Sequence, residues 1–217
     1  MVVVAVDGPG GVGKSTVARV VAARIAAAYL DTGAYYRAVT VAVLRAGVAP
    51  DDAEAVVPLV PGLRLGFDGE RMLLDGEDVS EAIRSPEVTA AVSAVSAIAE
   101  VRRIVVAQQQ RWVEERGGHA VVEGRDIGTV VFPNAAVKVF LTADPAVRAL
   151  RRAGDAEARG SDVAEIEEAL ARRDTADSTR EASPLVPADD AVVIDTSWLD
   201  VDGVASIVLG LIEEAAG

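Results

Sequence analysis

Cysteine is absent from this 217-residue chain, so disulfides and thiolate metal centres are excluded and nothing argues for secretion. Histidine occurs once, at His119, where the start of an apolar run suits a structural strand-edge residue better than a catalyst. Lysine occurs only at Lys14 and Lys138, so nearly all positive charge is arginine. That charge is scarce: 21 Lys and Arg face 34 Asp and Glu. The resulting formal charge of −13 repels polyanions, which argues against nucleic-acid or acidic-membrane partners. Aromatic residues are few, and Trp112 and Trp198 read as core or helix-packing side chains. There is no long hydrophobic run. The N-terminal one, Val2 to Val6, is only a few residues long and is expected to be a strand rather than a signal peptide or membrane span, so a cytoplasmic location is the expectation.

What the chain does contain is a phosphate loop. In GPGGVGKST, Gly8, Gly13, Lys14 and Ser15 fall on the pattern G-x-x-x-x-G-K-[ST], with Pro9, Gly10, Gly11 and Val12 between them and Thr16 following. Glycines let successive backbone N–H groups turn inward around a phosphate. The context agrees, because Val2 to Val6 reads as a buried parallel strand and Val17, Val20, Val21, Ile25 and Ala28 then recur at helical spacing. In such a loop Lys14 reaches the β and γ phosphates and Ser15 ligates Mg²⁺.

Apolar runs and helical patterns alternate to the C-terminus, which points to an α/β fold with a parallel sheet. Tyr29-Leu30, Ala120 to Val122, Val137 to Leu141 and Ala191 to Ile194 bring the expected strands to five. Gly47 should end a helix over Tyr35 to Ala46, and Gly117-Gly118 should end one after Trp112. Ser85-Pro86-Glu87, Asp144-Pro145 and Asp162 with Glu165 should open others. One segment breaks the alternation: Leu63, Leu65 and Phe67, a turn at Asp68-Gly69, Met72 to Leu74, a turn at Asp75-Gly76, then Glu77 to Val79. It predicts a small antiparallel three-stranded insertion.

Four clusters carry chemistry. Asp31-Thr32-Gly33-Ala34-Tyr35-Tyr36-Arg37 reads as a turn feeding a helix, which would put a hydroxyl and a guanidinium near its start; a capped helix with a surface arginine is the plain alternative. Glu123-Gly124-Arg125-Asp126 follows a buried strand, where open α/β sheets bind ligands, although a tight turn with a surface ion pair reads equally simply. Arg173, Asp177 and Arg180 share one face if their helix continues that far, either as a site or as a solvated salt-bridge ladder. Arg148, Arg151 and Arg152 share a helical face with no acidic residue at i±3 or i±4 between them, which suits either a flap over phosphates or an exposed basic face. The base-reading N-K-x-D of GTPases is absent, and positive charge on both sides of a moving phosphoryl group favours a small kinase.

Together DGPGGVGKST, YLDTGAYYRAV, DGEDVSEAIRSPEV, EGRDIGTVVFP and RRDTADSTREASPLVPA resemble the bacterial-type cytidylate kinase family of nucleoside monophosphate kinases, from Asp7 to Ala188. The resemblance implies a P-loop kinase fold, with a five-stranded parallel sheet flanked by helices and the antiparallel insertion enlarging the monophosphate-binding region. It implies that Thr32, Arg102, Asp126 and Arg180 read cytosine, that Ser93, Arg173 and Asp177 lie near the ribose, and that Arg37 and Arg125 hold the acceptor phosphate. Asp126 and Thr32 suit the exocyclic amine as acceptors, and the guanidiniums suit O2 and N3. Three departures stand out. Position 32 is Thr where some members have Ser, position 123 is Glu where some have Asp, and Ala26 to Ala28 replace a glycine-containing helix end.

The expectation is therefore a single kinase domain over 1–217, with an inserted meander at 62–88 and an arginine-bearing lid at 147–161. It would transfer the γ-phosphoryl group of Mg-ATP to CMP and dCMP as a monomer, with catalysis carried by Lys14, Arg125 and Arg37. A kinase for UMP or for a small metabolite such as shikimate, and a nucleotide-dependent binding module without transfer, are the rivals.

Overall fold

The structure is a computed structural model that describes residues 2–154 and 162–216. The chain opens with β1 (Val3–Asp7), α1 (Lys14–Arg24), β2 (Ala28–Asp31), α2 (Thr32–Arg45) and the short α3 (Ala53–Val56). Next come β3 (Leu65–Asp68), β4 (Arg71–Leu74), β5 (Glu77–Asp78), α4 (Pro86–Ala97) and α5 (Ala99–Glu114). β6 (Ala120–Gly124), β7 (Val137–Thr142), α6 (Pro145–Ala153), α7 (Val163–Thr179), β8 (Val192–Asp195) and α8 (Val201–Ala216) complete it. Two compact units result, one of Met1–Asp31 with Val113–Gly217 and one of Thr32–Trp112.

The first unit holds a five-stranded parallel sheet in the order β2-β6-β1-β7-β8. β1 is central, and Val4, Ala5 and Val6 have no exposure, which is why its run is uninterrupted apolar rather than alternating. Val17, Ala18 and Val21 of α1 join Val204, Ala205 and Val208 of α8 in one core with Val4, Val6 and Val121. His119 is structural, as expected: its Nδ1 accepts from the Val2 N–H at 3.3 Å, so Nε2 carries the proton and donates to the Ile25 carbonyl at 3.0 Å. The parallel register sets Asp31 beside Glu123 and Asp7 beside Gly124, so three carboxylates reach the C-terminal edge on adjacent strands.

The second unit holds the antiparallel sheet β3-β4-β5 with α2, α4 and most of α5. Asp75 and Gly76, at φ 53° and 90°, form the two-residue turn between β4 and β5, the mirror-image geometry that matches strand twist. The first turn sits one residue later than expected, because Asp68 still pairs with Arg71 and leaves Gly69-Glu70 as the loop. Phe67 packs on Tyr35 and Trp112, with ring centroids 5.9 and 6.5 Å apart. Ser85 caps α4 through the Val88 N–H with Pro86 at the first helical position, and Asp144 and Asp162 cap α6 and α7 in the same way.

Three expectations need correction. α2 begins at Thr32, directly after β2 with no turn, because burial of Thr32, Ala34, Tyr35 and Tyr36 outweighs the poor helix propensity of Gly33. α7 stops at Thr179, so Arg180 lies beyond the helix face; its backbone is extended while the Leu185 N–H reaches back to the Asp177 carbonyl at 2.9 Å. Trp198 is not a core residue: it is 93% exposed, in the turn between β8 and α8. The expected lid falls partly outside the described residues, since 155–161 are not among them.

α1 ends through Ala26, whose φ of 52° is left-handed, with the Ala27 N–H bonded to the Ala22 carbonyl at 2.9 Å. Glycine normally takes this position because a Cβ there costs roughly 1–2 kcal/mol. Ala26→Gly is expected to raise unfolding stability by about 0.5–1 kcal/mol, the relieved strain less the added entropy of the unfolded chain, as read by urea denaturation. A loss of stability in that variant would show that the left-handed turn is not strained.

Candidate active site

The phosphate loop runs between β1 and α1 with its carbonyls tied from outside. The Gly8 carbonyl accepts from Arg125 at 2.5 Å, the Gly10 carbonyl from Arg148 Nε at 2.7 Å, and the Val12 carbonyl from the Thr196 hydroxyl at 3.1 Å. In a planar trans peptide the N–H points opposite to the C=O, so the N–H groups of Gly11 and Gly13 are turned to the other side, into the loop. Space enforces glycine at two positions. A Cβ on Gly8 would lie 2.2 Å from the Leu141 carbonyl oxygen, and one on Gly11 would lie 2.8 Å from that of Arg148. α1 then starts from Gly13, with no side-chain cap and no acidic residue in its first turn. That uncapped, positive helix end is matched to an anion.

Lys14 is half-buried and donates from Nζ to the Pro9 carbonyl at 2.8 Å. Burial, followed by the nearby Arg125 charge, lowers its pKa to about 7. Glu123, at the end of β6, is 4% exposed and accepts from the Tyr29 hydroxyl at 2.5 Å and from the Ser15 hydroxyl. Burial and the neighbouring Asp31 carboxylate push its pKa up, against the pull of Lys14 and these two donors. Tyr29 remains a donor, because burial and the Glu123 and Asp31 charges drive its own pKa far upward. Two carboxylates and a hydroxyl beside the loop suit a hard cation whose remaining ligands are phosphate oxygens and water. Among the described residues no three or more His, Cys, Asp or Glu side chains form a protein-only cage.

Behind the loop lies a buried ionic cluster. Arg125 Nε pairs with Asp177 at 2.9 Å, and Arg180 lies 3.9 Å from both Asp177 and Asp126. The EGRD turn and the Arg173 to Arg180 segment are thus brought together, and Asp126 and Asp177 are each 4% exposed, which rules out a solvated ladder. The basic face of α6 also differs from expectation. Arg148 pairs with Asp174 of α7, and Arg151 donates to the Thr196 hydroxyl and carbonyl at 2.9 and 2.7 Å, so tertiary partners relieve the like-charge repulsion along the helix.

The second unit places the remaining candidates. Arg37 donates to the Ile83 carbonyl and the Thr89 hydroxyl at 3.0 and 3.1 Å. Arg102 is buried, donates to the Ser96 carbonyl at 3.1 Å and stacks on Tyr36 at 5.0 Å. Ser93 is half-buried on α4, and the Thr32 carbonyl accepts from the buried Gln109 side chain at 3.4 Å.

A family model described as cytidylate kinase matches residues 4–214. A cytidylate kinase of Rhodococcus opacus (strain B4) is 52% identical over 99% of this chain and 96% of its own length. The chain belongs to the cytidylate kinase family. A further cytidylate kinase, of Mycobacterium leprae (strain Br4923), is 50% identical over 100% of this chain and 97% of its own. Among solved structures, a shikimate kinase from Acinetobacter baumannii in complex with shikimate matches with a TM-score of 0.51 at 15% identity, covering 99% of this chain and 94% of its own. At that identity the likeness concerns the fold alone, that of P-loop kinases.

The sequence motifs carry no assigned role for four residues that shape this site: Asp7, Tyr29 and Asp174, and Glu123 of the Glu123 to Asp126 cluster. All four lie inside the quoted motifs, and the end of a strand beside the loop strand was the signal available for Glu123. Nothing local marks Asp174. Asp7 closes β1 and accepts from the Ile127 and Gly128 N–H groups at 2.8 Å each, which anchors the turn after Asp126.

Burial is the largest effect on Asp7 and raises its pKa from 3.8 to about 6. A carboxyl whose folded pKa is raised contributes stability that is complete below about pH 4 and is lost as pH rises through about 6, about 3 kcal/mol in all. Asp7→Asn should abolish this dependence. Urea unfolding at about pH 4 and about pH 7 is expected to show the difference between wild type and variant moving in the wild type's favour at the acid end by about 2–3 kcal/mol. A constant difference would refute the buried-carboxyl assignment.

Proposed function

We propose that the protein transfers the γ-phosphoryl group of ATP to CMP, and to dCMP, giving the diphosphate and ADP. The observation that carries this reading is the buried cluster of Arg125, Asp126, Asp177 and Arg180, bonded through Arg125 to the Gly8 carbonyl of the phosphate loop. In this reading the cluster offers a guanidinium to the acceptor phosphate and a carboxylate-guanidinium pair to the base. Relatives over the whole chain that are named cytidylate kinases support it.

In this reading the N–H groups of Gly11 and Gly13 and the start of α1, with Ser15 and Thr16, bind the donor phosphates, and Lys14 follows the moving phosphoryl group. Binding of that anion favours the charged form of Lys14, which burial disfavours in the free protein. Arg125 and Arg37 neutralise the acceptor phosphate, which is already an anion and needs no strong base. Asp126 and Thr32 accept from the cytosine amine, Arg102 and Arg180 donate to O2 and N3, and Ser93, Arg173 and Asp177 serve the ribose. UMP presents O4 to a carboxylate, a mismatch that a buried polar site rejects.

Mg²⁺ would be held by Ser15, with Glu123 facing that hydroxyl, and would supply charge neutralisation for the donor phosphates. Arg148 acts here mainly as a brace of the loop, because both the Gly10 carbonyl and Asp174 hold it, while Arg151 and Arg152 share its helix within the proposed lid at 147–161. We take the meander as part of the monophosphate region at 62–88, the whole chain as one kinase domain, and the working form as a cytoplasmic monomer without nucleic-acid partners. Among the described residues no helix is long and apolar enough to cross a membrane.

ADP release from ATP, measured separately with CMP, dCMP, UMP, AMP and shikimate, is expected to be fast with the first two alone. Slow turnover indifferent to every acceptor would replace the kinase by a nucleotide-dependent binding module. Lys14→Ala should abolish transfer while circular dichroism stays unchanged, and near-normal turnover in it would remove the loop from the mechanism.

Asp126→Asn should weaken the CMP contact by about 1–3 kcal/mol, the range for hydrogen bonds to charged groups. The ratio of kcat/KM for CMP over UMP is expected to fall, because O4 no longer meets a carboxylate. An unchanged or increased ratio would leave base reading to the arginines.

A further inference from the structure

We propose that Tyr29 is a positioning residue for phosphoryl transfer: its hydroxyl, with its ring held by Arg19, fixes the Glu123 carboxylate against the Ser15 hydroxyl at the mouth of the phosphate loop. The inference rests on the reading above, in which Ser15 and Glu123 face the metal of the donor nucleotide.

The geometry is a closed ring of four residues. Ser15 and Arg19 lie at i and i+4 on α1, so they share one face of that helix one turn apart. On the sheet beneath, Asp31 of β2 pairs with Glu123 of β6 and Tyr29 pairs with Val121, so Tyr29 lies two residues behind Glu123 on the same face. Two residues of strand rise about 6.6 Å, close to the reach of a tyrosine hydroxyl from its own Cα. The hydroxyl therefore arrives at the carboxylate row, where it donates to Glu123 Oε1 at 2.5 Å. Above it, the Arg19 guanidinium carbon sits 4.4 Å from the centre of the Tyr29 ring, a cation–π contact that holds the ring between helix and sheet. Ser15 closes the ring by bonding to Glu123.

The physical need for such a lock is plain. Glutamate has three rotatable side-chain bonds, so its backbone alone does not fix its aim, and the neighbouring Asp31 carboxylate repels it. With Oε1 taken by Tyr29, rotation of the carboxylate about its last bond stops and the group stays aimed at Ser15. Phenylalanine at position 29 keeps the ring and the Arg19 contact and removes only this aim.

The test compares wild type, Tyr29→Phe, Arg19→Ala and Glu123→Gln in the full chain, using ATP affinity by calorimetry with Mn²⁺ present and with all divalent metal chelated, and bound Mn²⁺ by electron paramagnetic resonance. Tyr29→Phe is expected to weaken Mn-ATP binding about tenfold, as for one hydrogen bond to a charged group, while metal-free ATP binds as in wild type. Arg19→Ala should give a smaller loss of the same kind, and it carries the test should Tyr29→Phe not fold. Equal losses with and without metal would mean that Tyr29 only supports the fold, which overturns the proposal. Normal Mn-ATP affinity in Tyr29→Phe with a loss in Glu123→Gln would overturn the positioning role and leave the metal reading standing. Normal affinity in Glu123→Gln would overturn both.

Discussion

Side chains from three distant segments grip the outer carbonyls of the phosphate loop, and the cradle depends on that grip. Glycines give the loop freedom to adopt its shape but nothing that selects it from others. Arg125 from the end of β6, Arg148 from α6 and Thr196 from the end of β8 make the selection by taking the Gly8, Gly10 and Val12 carbonyls. Each comes from a strand end or helix that the parallel sheet places at the same edge. The alternation of strands and helices therefore does more than carry the loop, because it delivers the donors that hold the N–H groups inward.

The same donors tie the loop to its surroundings. Arg125 also pairs with Asp177, and Arg148 with Asp174, so both links run from the loop to α7. The buried charges of this cluster are matched in this way, as burial demands. Asp31 and Glu123 place two carboxylates side by side on adjacent parallel strands. Tyr29, Ser15 and Lys14 soften that repulsion, and a bound cation would complete the compensation. A chain with a formal charge of −13 thus builds a locally cationic cradle with an acidic flank, a distribution that the net charge does not describe.

Much of the fold was legible because its signals are local. Apolar runs marked the five parallel strands, Ser85, Asp144 and Asp162 marked helix starts by their capping chemistry, and Asp75-Gly76 marked a turn by its left-handed geometry. The misreadings share a cause. α2 begins at Thr32 because burial overrides Gly33, and Trp198 stands in solvent because it falls in the turn between β8 and α8. Neither is a property of the local sequence. The α6 arginines looked unopposed because no carboxylate lies between them, whereas the Asp174 partner of Arg148 is 26 residues on.

By itself, the sequence determined that a phosphate loop sits between a buried strand and a helix, that the sheet is parallel, and which motifs place the chain in its family. These follow from patterns a few residues long, set by backbone freedom, helical period and burial. Only the tertiary structure decided that Tyr29 meets Glu123 across 94 residues and that Arg125 joins the Gly8 carbonyl across 117. Strand order and register choose those partners, and both are set by packing over the whole chain, which no short pattern encodes.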